Sequence, residues 1–382
     1  MVAGTYLHES KTVSNMSTTR LLSEGQKLLG AYEVEGFLGE GAFAEVYRVR
    51  HRILGRQAMK VFKRTGLTAE ETEEMLGEAI LLSRIGHPNI VRVFNADVVE
   101  TSQGPCGFFT MEYVAGGTLE RYWRSFAETS IPVEHAVELA RQVCQGLGVA
   151  HSEEPPIIHR DIKPQNILVG YDGAGVRVRL SDFGLAKRVN PMTLIASARG
   201  TLAFKAPEFL QQTDSTATDI WAVGSTLYLL VTDRLPFPEL EEEEFISGKR
   251  WERPIIPPSR LNIDVDSSLD AIILKALALK PEDRYRDAEA LYTDLAKWKK
   301  RDPSGDRNLP KSSSVSKGAL GQRTPPDRKN AEKMIQKALR LAQQPGQLIE
   351  AADILEEAIN AAPELRERYG YQVQLWRNGI VM

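Results

Sequence analysis

Asp161, Lys163 and Asn166 bring a carboxylate, an ammonium and a carboxamide together inside the run His159-Arg-Asp-Ile-Lys-Pro-Gln-Asn166. A second carboxylate, Asp182, opens an Asp-Phe-Gly tripeptide after the apolar run Val176 to Leu180, which reads as a strand. These residue types suit phosphoryl transfer. A carboxylate accepts the proton of an attacking hydroxyl, an ammonium steadies the moving phosphate, and two oxygen ligands hold Mg²⁺ against a triphosphate. The alternative is a solvated polar turn followed by an ordinary bend. One tripeptide would not separate the two, but the eight-residue run with the tripeptide behind it favours the chemistry.

Such residues need a scaffold. Residues 1–31 carry little apolar periodicity and read as a mobile tail, with one short helix near Leu21–Leu29. From Tyr32 the pattern changes to short strands. Phe37 to Tyr47 reads as strand, glycine-rich turn and strand, and glycines at 39 and 41 let the backbone approach phosphate oxygens. A plain hairpin is the alternative there. Gln57 to Phe62 is strand-like and carries Lys60, and Thr68 to Ile85 is an amphipathic helix with Thr68 as its N-cap. Glu78 precedes the apolar run Ala79–Leu82, at the core edge, where it can pair with Lys60; an unpaired rim glutamate is the alternative. Strands follow at Ile90–Asn95 and Phe108–Glu112. Helices follow at Thr118–Phe126, Val133–His151, Asp219–Thr232, Ser267–Leu279 and Asp287–Lys297.

With Ala206-Pro-Glu208, Asp219-Ile-Trp-Ala-Val-Gly224 and Pro281-Glu-Asp-Arg284 added, the stretch from about Tyr32 to Lys299 resembles the eukaryotic-like serine/threonine protein kinases, in the compact form of bacterial members. The resemblance implies an α+β, bilobal fold: a small β-rich lobe, a larger helical lobe, and ATP in the cleft between them. It implies Mg²⁺, with Mn²⁺ a substitute, and protein Ser/Thr hydroxyls as acceptors. Asp161, Lys163, Lys60 and Glu78 become the catalytic set, and Asn166 and Asp182 the metal ligands. ATP would lie against Gly39, Glu40, Gly41, Ala42, Ala44, Val46, Ala58, Lys60, Met111, Glu112 and Val114, with backbone groups of Glu112 and Val114 meeting the adenine. Ala44 stands where the pattern usually has Gly. Lys163, two residues after Asp161, is the Ser/Thr rather than the Tyr form. Glu208 and Arg284 would make a structural ion pair. Arg160 and Lys187 would receive a phosphorylated Ser197, with Thr193 the runner-up, while the Thr201 hydroxyl is needed near Asp161. The alternative is a segment that orders without phosphate. A catalytically dead scaffold would lack one of Lys60, Glu78, Asp161, Asn166 and Asp182, and all five are present.

Of the 382 residues, 42% are hydrophobic and 26% charged, which argues against wholesale disorder. A net charge of −3 argues against nucleic acid or an anionic membrane as partner. Two cysteines, Cys106 and Cys144, are too few for a disulfide framework and point to a reducing, cytoplasmic setting. Residues 1–20 have no apolar core, so no signal peptide is expected, and no apolar run reaches spanning length. The expected divisions are a tail (1–31), a kinase domain (32–300), a basic Pro/Ser-containing linker (301–328) and a helical segment (329–382). The acidic run Glu239–Glu244 reads as a solvated face, and the basic linker as a tether rather than an anionic contact. Helices are expected at Asn330–Gln343, Gln347–Ala361 and Glu364–Trp376. Gly346, Ala351, Leu355, Ala358 and Pro363 resemble the second helix of a tetratricopeptide repeat; a generic helical hairpin is the alternative. One repeat cannot bury its own face, so the segment must dock on the kinase part, dimerise or meet a protein partner.

Overall fold

The computed structural model describes residues 20–41, 43–65, 76–126, 131–172, 175–183, 202–211, 213–237, 249–299, 328–344, 347–362 and 365–377. Contacts divide the chain into two units: Met1–Leu76 with Asn95–Thr110, and Gly77–Phe94 with Met111–Met382.

The first unit is built on a six-stranded sheet of β1 (Lys27–Leu28), β2 (Tyr32–Glu40), β3 (Ala44–His51), β4 (Gly55–Thr65), β5 (Val93–Thr101) and β6 (Gly104–Glu112), in the order β1-β2-β3-β4-β6-β5. Alternation puts Tyr47, Val49, Met59 and Val61 into one core with Val34 and Phe108. Residues 20–31 correct the expectation of a mobile tail with a short helix. Leu21, Leu22 and Leu28 are buried on the sheet, and β1 pairs antiparallel with β2. The Leu21 N–H donates to the Glu45 carboxylate and the Leu22 N–H to the Tyr47 hydroxyl, each at 3.0 Å. Three leucines are too few to stripe a helix, yet enough to seal a sheet face once buried acceptors satisfy their backbone.

The second unit is mainly helical: α1 (Gly77–Arg84), α2 (Leu119–Arg124), α3 (Val133–His151), the β7–β8 hairpin (Ile167–Asp172, Gly175–Leu180), α4 (Thr216–Thr232), α5 (Ser267–Ala276) and α6 (Ala288–Lys297). Capping explains most boundaries. Thr118, Asp266 and Asp287 accept from the first turns of α2, α5 and α6. Ser215 and Thr218 form a reciprocal capping box, which starts α4 three residues ahead of the expected Asp219. Ile90, expected in a strand, makes only an isolated bridge to Leu180, and the strand begins at Val93. The expected N-cap Thr68 lies outside the described residues. Val143, Leu147, Trp221 and Leu227 belong to one apolar core that runs through α3 and α4.

Helices α7 (Arg328–Leu341), α8 (Leu348–Ala361) and α9 (Arg366–Arg377) follow in the same unit. Their core of Ala338, Ala351, Leu355, Ala358 and Trp376 includes Tyr171 of β7. Gly346 and Pro363, which carried part of the repeat resemblance, lie outside the described residues, as do the linker 301–327 and the acidic run. Among the described residues no helix is long and apolar enough to cross a membrane.

Candidate active site

The loop that carries Asp161 is pinned by one buried carboxylate. Asp219, in the first turn of α4, accepts the backbone N–H groups of His159 and Arg160 at 2.8 Å each, and His151 Nε2 lies 3.0 Å from it. Burial opposes its ionisation, but the hydrogen bond from His151 and the backbone N–H of His159 outweigh burial and hold the pKa low. Arg160 takes a left-handed φ of 69°, a strained conformation that the Asp219 clamp stabilises. Next to it the His159 ring is fully buried, its Nδ1 accepting from the Asp161 N–H and its Nε2 facing the Ser181 carbonyl at 2.9 Å. That pattern needs the proton on Nε2 alone, and burial keeps the ring neutral by lowering its pKa.

Asp161 Oδ2 lies 2.7 Å from Lys163 Nζ and 2.8 Å from Asn166 Nδ2, which also donates to the Asp161 carbonyl. Oδ1 accepts from Lys205 Nζ at 2.8 Å. Burial works against the charge here too, yet the ammonium groups of Lys205 and Lys163 outweigh it and hold the carboxyl well below the usual carboxylate range. Lys205 was absent from the residues singled out in the sequence. The only signal was a lysine between apolar neighbours, Phe204 and Ala206, just ahead of Pro207-Glu208.

Ser181 ties the second metal-ligand candidate to the first: its N–H and hydroxyl both donate to the Asn166 carbonyl, at 3.0 and 3.1 Å. Asp182 follows with φ of 65°. Phe183 packs its ring 4.3 Å from His159, so the Asp-Phe pair and the catalytic loop share one anchor. Glu208 and Arg284 form a bidentate buried pair at 2.6 and 2.8 Å, and Arg284 also donates to carbonyls of Ala217, Ala278 and Leu279. Arg160, expected to meet a phosphorylated side chain, donates from Nε to Asp214 at 2.8 Å. Lys187, Thr193, Ser197 and Thr201 lie outside the described residues.

The residues expected around ATP fall in both units. In the first, Gly39 is register partner to Val46 beside an irregularity in β2, and the Gly41 N–H closes a turn on the Ala44 carbonyl at 2.8 Å. Glu40 ends β2, and Ala42 lies outside the described residues. Val46 pairs with Lys60 across β3–β4, and Ala44 and Ala58, two residues away, share that face. Lys60 is 4% exposed, its ammonium 5.5 Å from the Phe109 ring. The side chain of Glu78, on α1, lies outside the described residues. In the second unit Met111 and Val114 are buried, the Glu112 N–H donates to the Arg92 carbonyl at 2.8 Å, and its carboxylate pairs with Arg179.

Residues 32–295 match the protein kinase domain. The chain belongs to the protein kinase family. It is 33% identical over 279 residues to the serine/threonine-protein kinase PknB of Mycolicibacterium smegmatis, covering 71% of this chain and 43% of the relative. It is 34% identical over 284 residues to a probable serine/threonine-protein kinase of Clostridium perfringens, covering 73% of this chain and 40% of that protein. The PknB of Mycobacterium leprae is 32% identical over 272 residues. The chain thus spans less than half the length of these relatives. A kinase of this family uses ATP and a divalent metal.

Proposed function

We propose that the chain transfers the γ-phosphate of ATP to Ser or Thr hydroxyls of proteins, as a regulatory kinase. The observation that carries this is the Asp161 carboxylate, held ionised and oriented beside Lys163 and Asn166 on a loop anchored to Asp219. Asp161 accepts the acceptor's proton, and Lys163 faces the phosphate in transit. Asn166 spends its N–H groups on Asp161, which leaves its carbonyl oxygen as the donor atom toward a cation. With the Asp182 carboxylate this is an all-oxygen set, suited to Mg²⁺ and also to Mn²⁺. The bound ion supplies charge neutralisation at the triphosphate. Lys60 and the Ala44, Val46 and Ala58 face would meet the nucleotide from the sheet, and the Glu112–Val114 backbone would meet the adenine. Two buried free thiols support a cytoplasmic setting. Incubation with γ-labelled ATP, Mg²⁺ and a protein acceptor should label Ser or Thr. Near-full turnover by Asp161→Asn would overturn the assignment of the base.

The domain reading proposed with it is a kinase domain over 32–300, a tether, and a helical segment from 329 that braces the kinase domain intramolecularly. Three contacts support the brace: Tyr113 Oη donates to Glu357 at 2.5 Å, Asn360 Nδ2 donates to the Ala115 carbonyl at 3.3 Å, and Tyr171 enters the helices' core. The first two grip the segment just after Glu112.

A further inference from the structure

Lys205 sits in an apolar stretch, Leu202-Ala-Phe-Lys-Ala-Pro207, and its side chain is 5% exposed. Nζ reaches two acceptors, Oδ1 of Asp161 and the carbonyl of Arg160, each at 2.8 Å, and lies 5.5 Å from the Phe209 ring. Its own N–H closes a turn on the Leu202 carbonyl at 3.2 Å. That turn is held in place by Arg250, whose guanidinium donates to the carbonyls of Leu202 and Ala203 at 2.9 Å each. Taking an ammonium out of water costs several kcal/mol, and an apolar side chain of the same length is often as stabilising at such a place. Stability therefore does not account for a lysine here. Among the described residues the other donors on the Asp161 carboxylate, Lys163 and Asn166, go to Oδ2, and Lys205 is the donor that holds Oδ1.

We propose that Lys205 is a positioning residue for phosphoryl transfer, bridging Oδ1 of Asp161 and the Arg160 carbonyl so that the turn from Leu202 to Lys205 is fastened to the catalytic loop. The carboxylate rotation is then defined at both oxygens. A carboxylate oxygen accepts more than one hydrogen bond, so Lys205 and an acceptor hydroxyl can share Oδ1. The turn follows Gly200-Thr201 in sequence, so the tether also fastens the chain just after Thr201 to the loop that carries Asp161.

The inference rests on Asp161 being the base, and the experiment separates the two. Lys205→Met, Lys205→Arg and Asp161→Asn, with the double variant Lys205→Met/Asp161→Asn, are assayed on a protein acceptor in the full chain. Thermal melts and binding of a fluorescent ATP analogue are measured beside them. Misplacement of a reacting group by an ångström costs roughly 10²-fold, so Lys205→Met should lose about 10- to 100-fold in kcat. Its nucleotide affinity and melting temperature should be unchanged, and Lys205→Arg, which keeps two donors, should recover part of the rate. In the Asp161→Asn background Lys205→Met should add no loss, since Lys205 acts through that carboxylate. If Asp161→Asn keeps turnover, the base assignment fails and this inference with it. If Asp161→Asn is inactive while Lys205→Met stays within about twofold of the parent, the Lys205 role alone is overturned. It is likewise overturned by a rate loss matched by lost nucleotide binding or melting temperature, or by a full additive loss in the double variant. Should Lys205→Met not fold, Lys205→Gln, which removes the charge and shortens the side chain while keeping an amide donor group, carries the same comparison.

Discussion

Two buried ion clusters in the second unit use the same chemistry with opposite balance. In the catalytic loop one carboxylate, Asp161, faces two ammonium groups and an amide donor. In the C-terminal helices two carboxylates, Asp353 and Glu356, share the single guanidinium of Arg377 at 2.7 Å each. Both sites are desolvated, and the count of counter-charges decides the outcome. Asp161 is held ionised far below the usual range, whereas burial pushes Glu356 up to about 7 despite Arg377. Glu356 is fully buried, and its Oε1 finds no hydrogen-bond donor among the described residues. The first cluster keeps the proposed base charged, whereas the second leaves a carboxylate close to neutrality at the contact between α8 and the Val169–Gly170 and Gly116 backbone.

The largest effect should come from removing the charge of the first cluster. Asp161→Asn is near-isosteric, so transfer of labelled phosphate should fall on the order of 10²–10⁴-fold while the melting temperature holds. A variant that melted early would mean that the carboxylate is structural rather than chemical. Next comes a buried pair with balanced charges. Arg284→Met leaves Glu208 buried without its bidentate partner, and loss of about 3–5 kcal/mol in denaturant unfolding is expected. An unchanged midpoint would show that Thr218, which also donates to Glu208, suffices.

Much of this was legible because the relevant residues are contiguous. The run 159–166 and the Asp-Phe-Gly start are local patterns, and the helices expected at Thr118–Phe126, Val133–His151, Ser267–Leu279 and Asp287–Lys297 stand within a few residues of α2, α3, α5 and α6. What escaped depends on partners far along the chain. Lys205 meets Asp161 across 44 positions, and Tyr113 meets Glu357 across 244. Neither distance leaves a periodic trace. Residues 20–31 escaped because their burial depends on acceptors supplied by Glu45 and Tyr47, not on any pattern of their own.

The second cluster should make the C-terminal packing sensitive to pH. The folded pKa of Glu356 lies above its ordinary value, so the stabilisation is fully present below about 4.5 and is lost as pH rises through about 7. The groups facing it are Arg377 on α9, Asp353 on α8 and Arg179 on β8, and the last is already paired with Glu112. Holding the carboxyl at about 7 rather than 4.5 corresponds to roughly 3 kcal/mol across the whole of that pH range. Protection of the α8 amides in the full chain, measured relative to their intrinsic base-catalysed exchange rate, should therefore be greater at pH 5.5 than at pH 8. Glu356→Gln should remove that difference while leaving exchange in α3 as it was. A pH dependence that survives in Glu356→Gln would assign it to another group.

The smallest effect tests whether the brace reaches the segment proposed to meet the nucleotide. Tyr113→Phe removes one hydroxyl that donates to a carboxylate, a bond of about 1.5–3 kcal/mol, without altering ring packing. If α8 steadies residues 113–117, exchange of those amides should rise several-fold and affinity for an ATP analogue should weaken by a few-fold, with kcat little changed. Removing residues 328–382 should reproduce both changes and enlarge them, because the Asn360 bond to the Ala115 carbonyl and the burial of Tyr171 go as well. Tyr113→Phe in the truncated chain should then have no further effect, since Glu357 is gone. If truncation and Tyr113→Phe instead act additively, Tyr113 serves the nucleotide directly, and the C-terminal helices are passengers on the kinase domain.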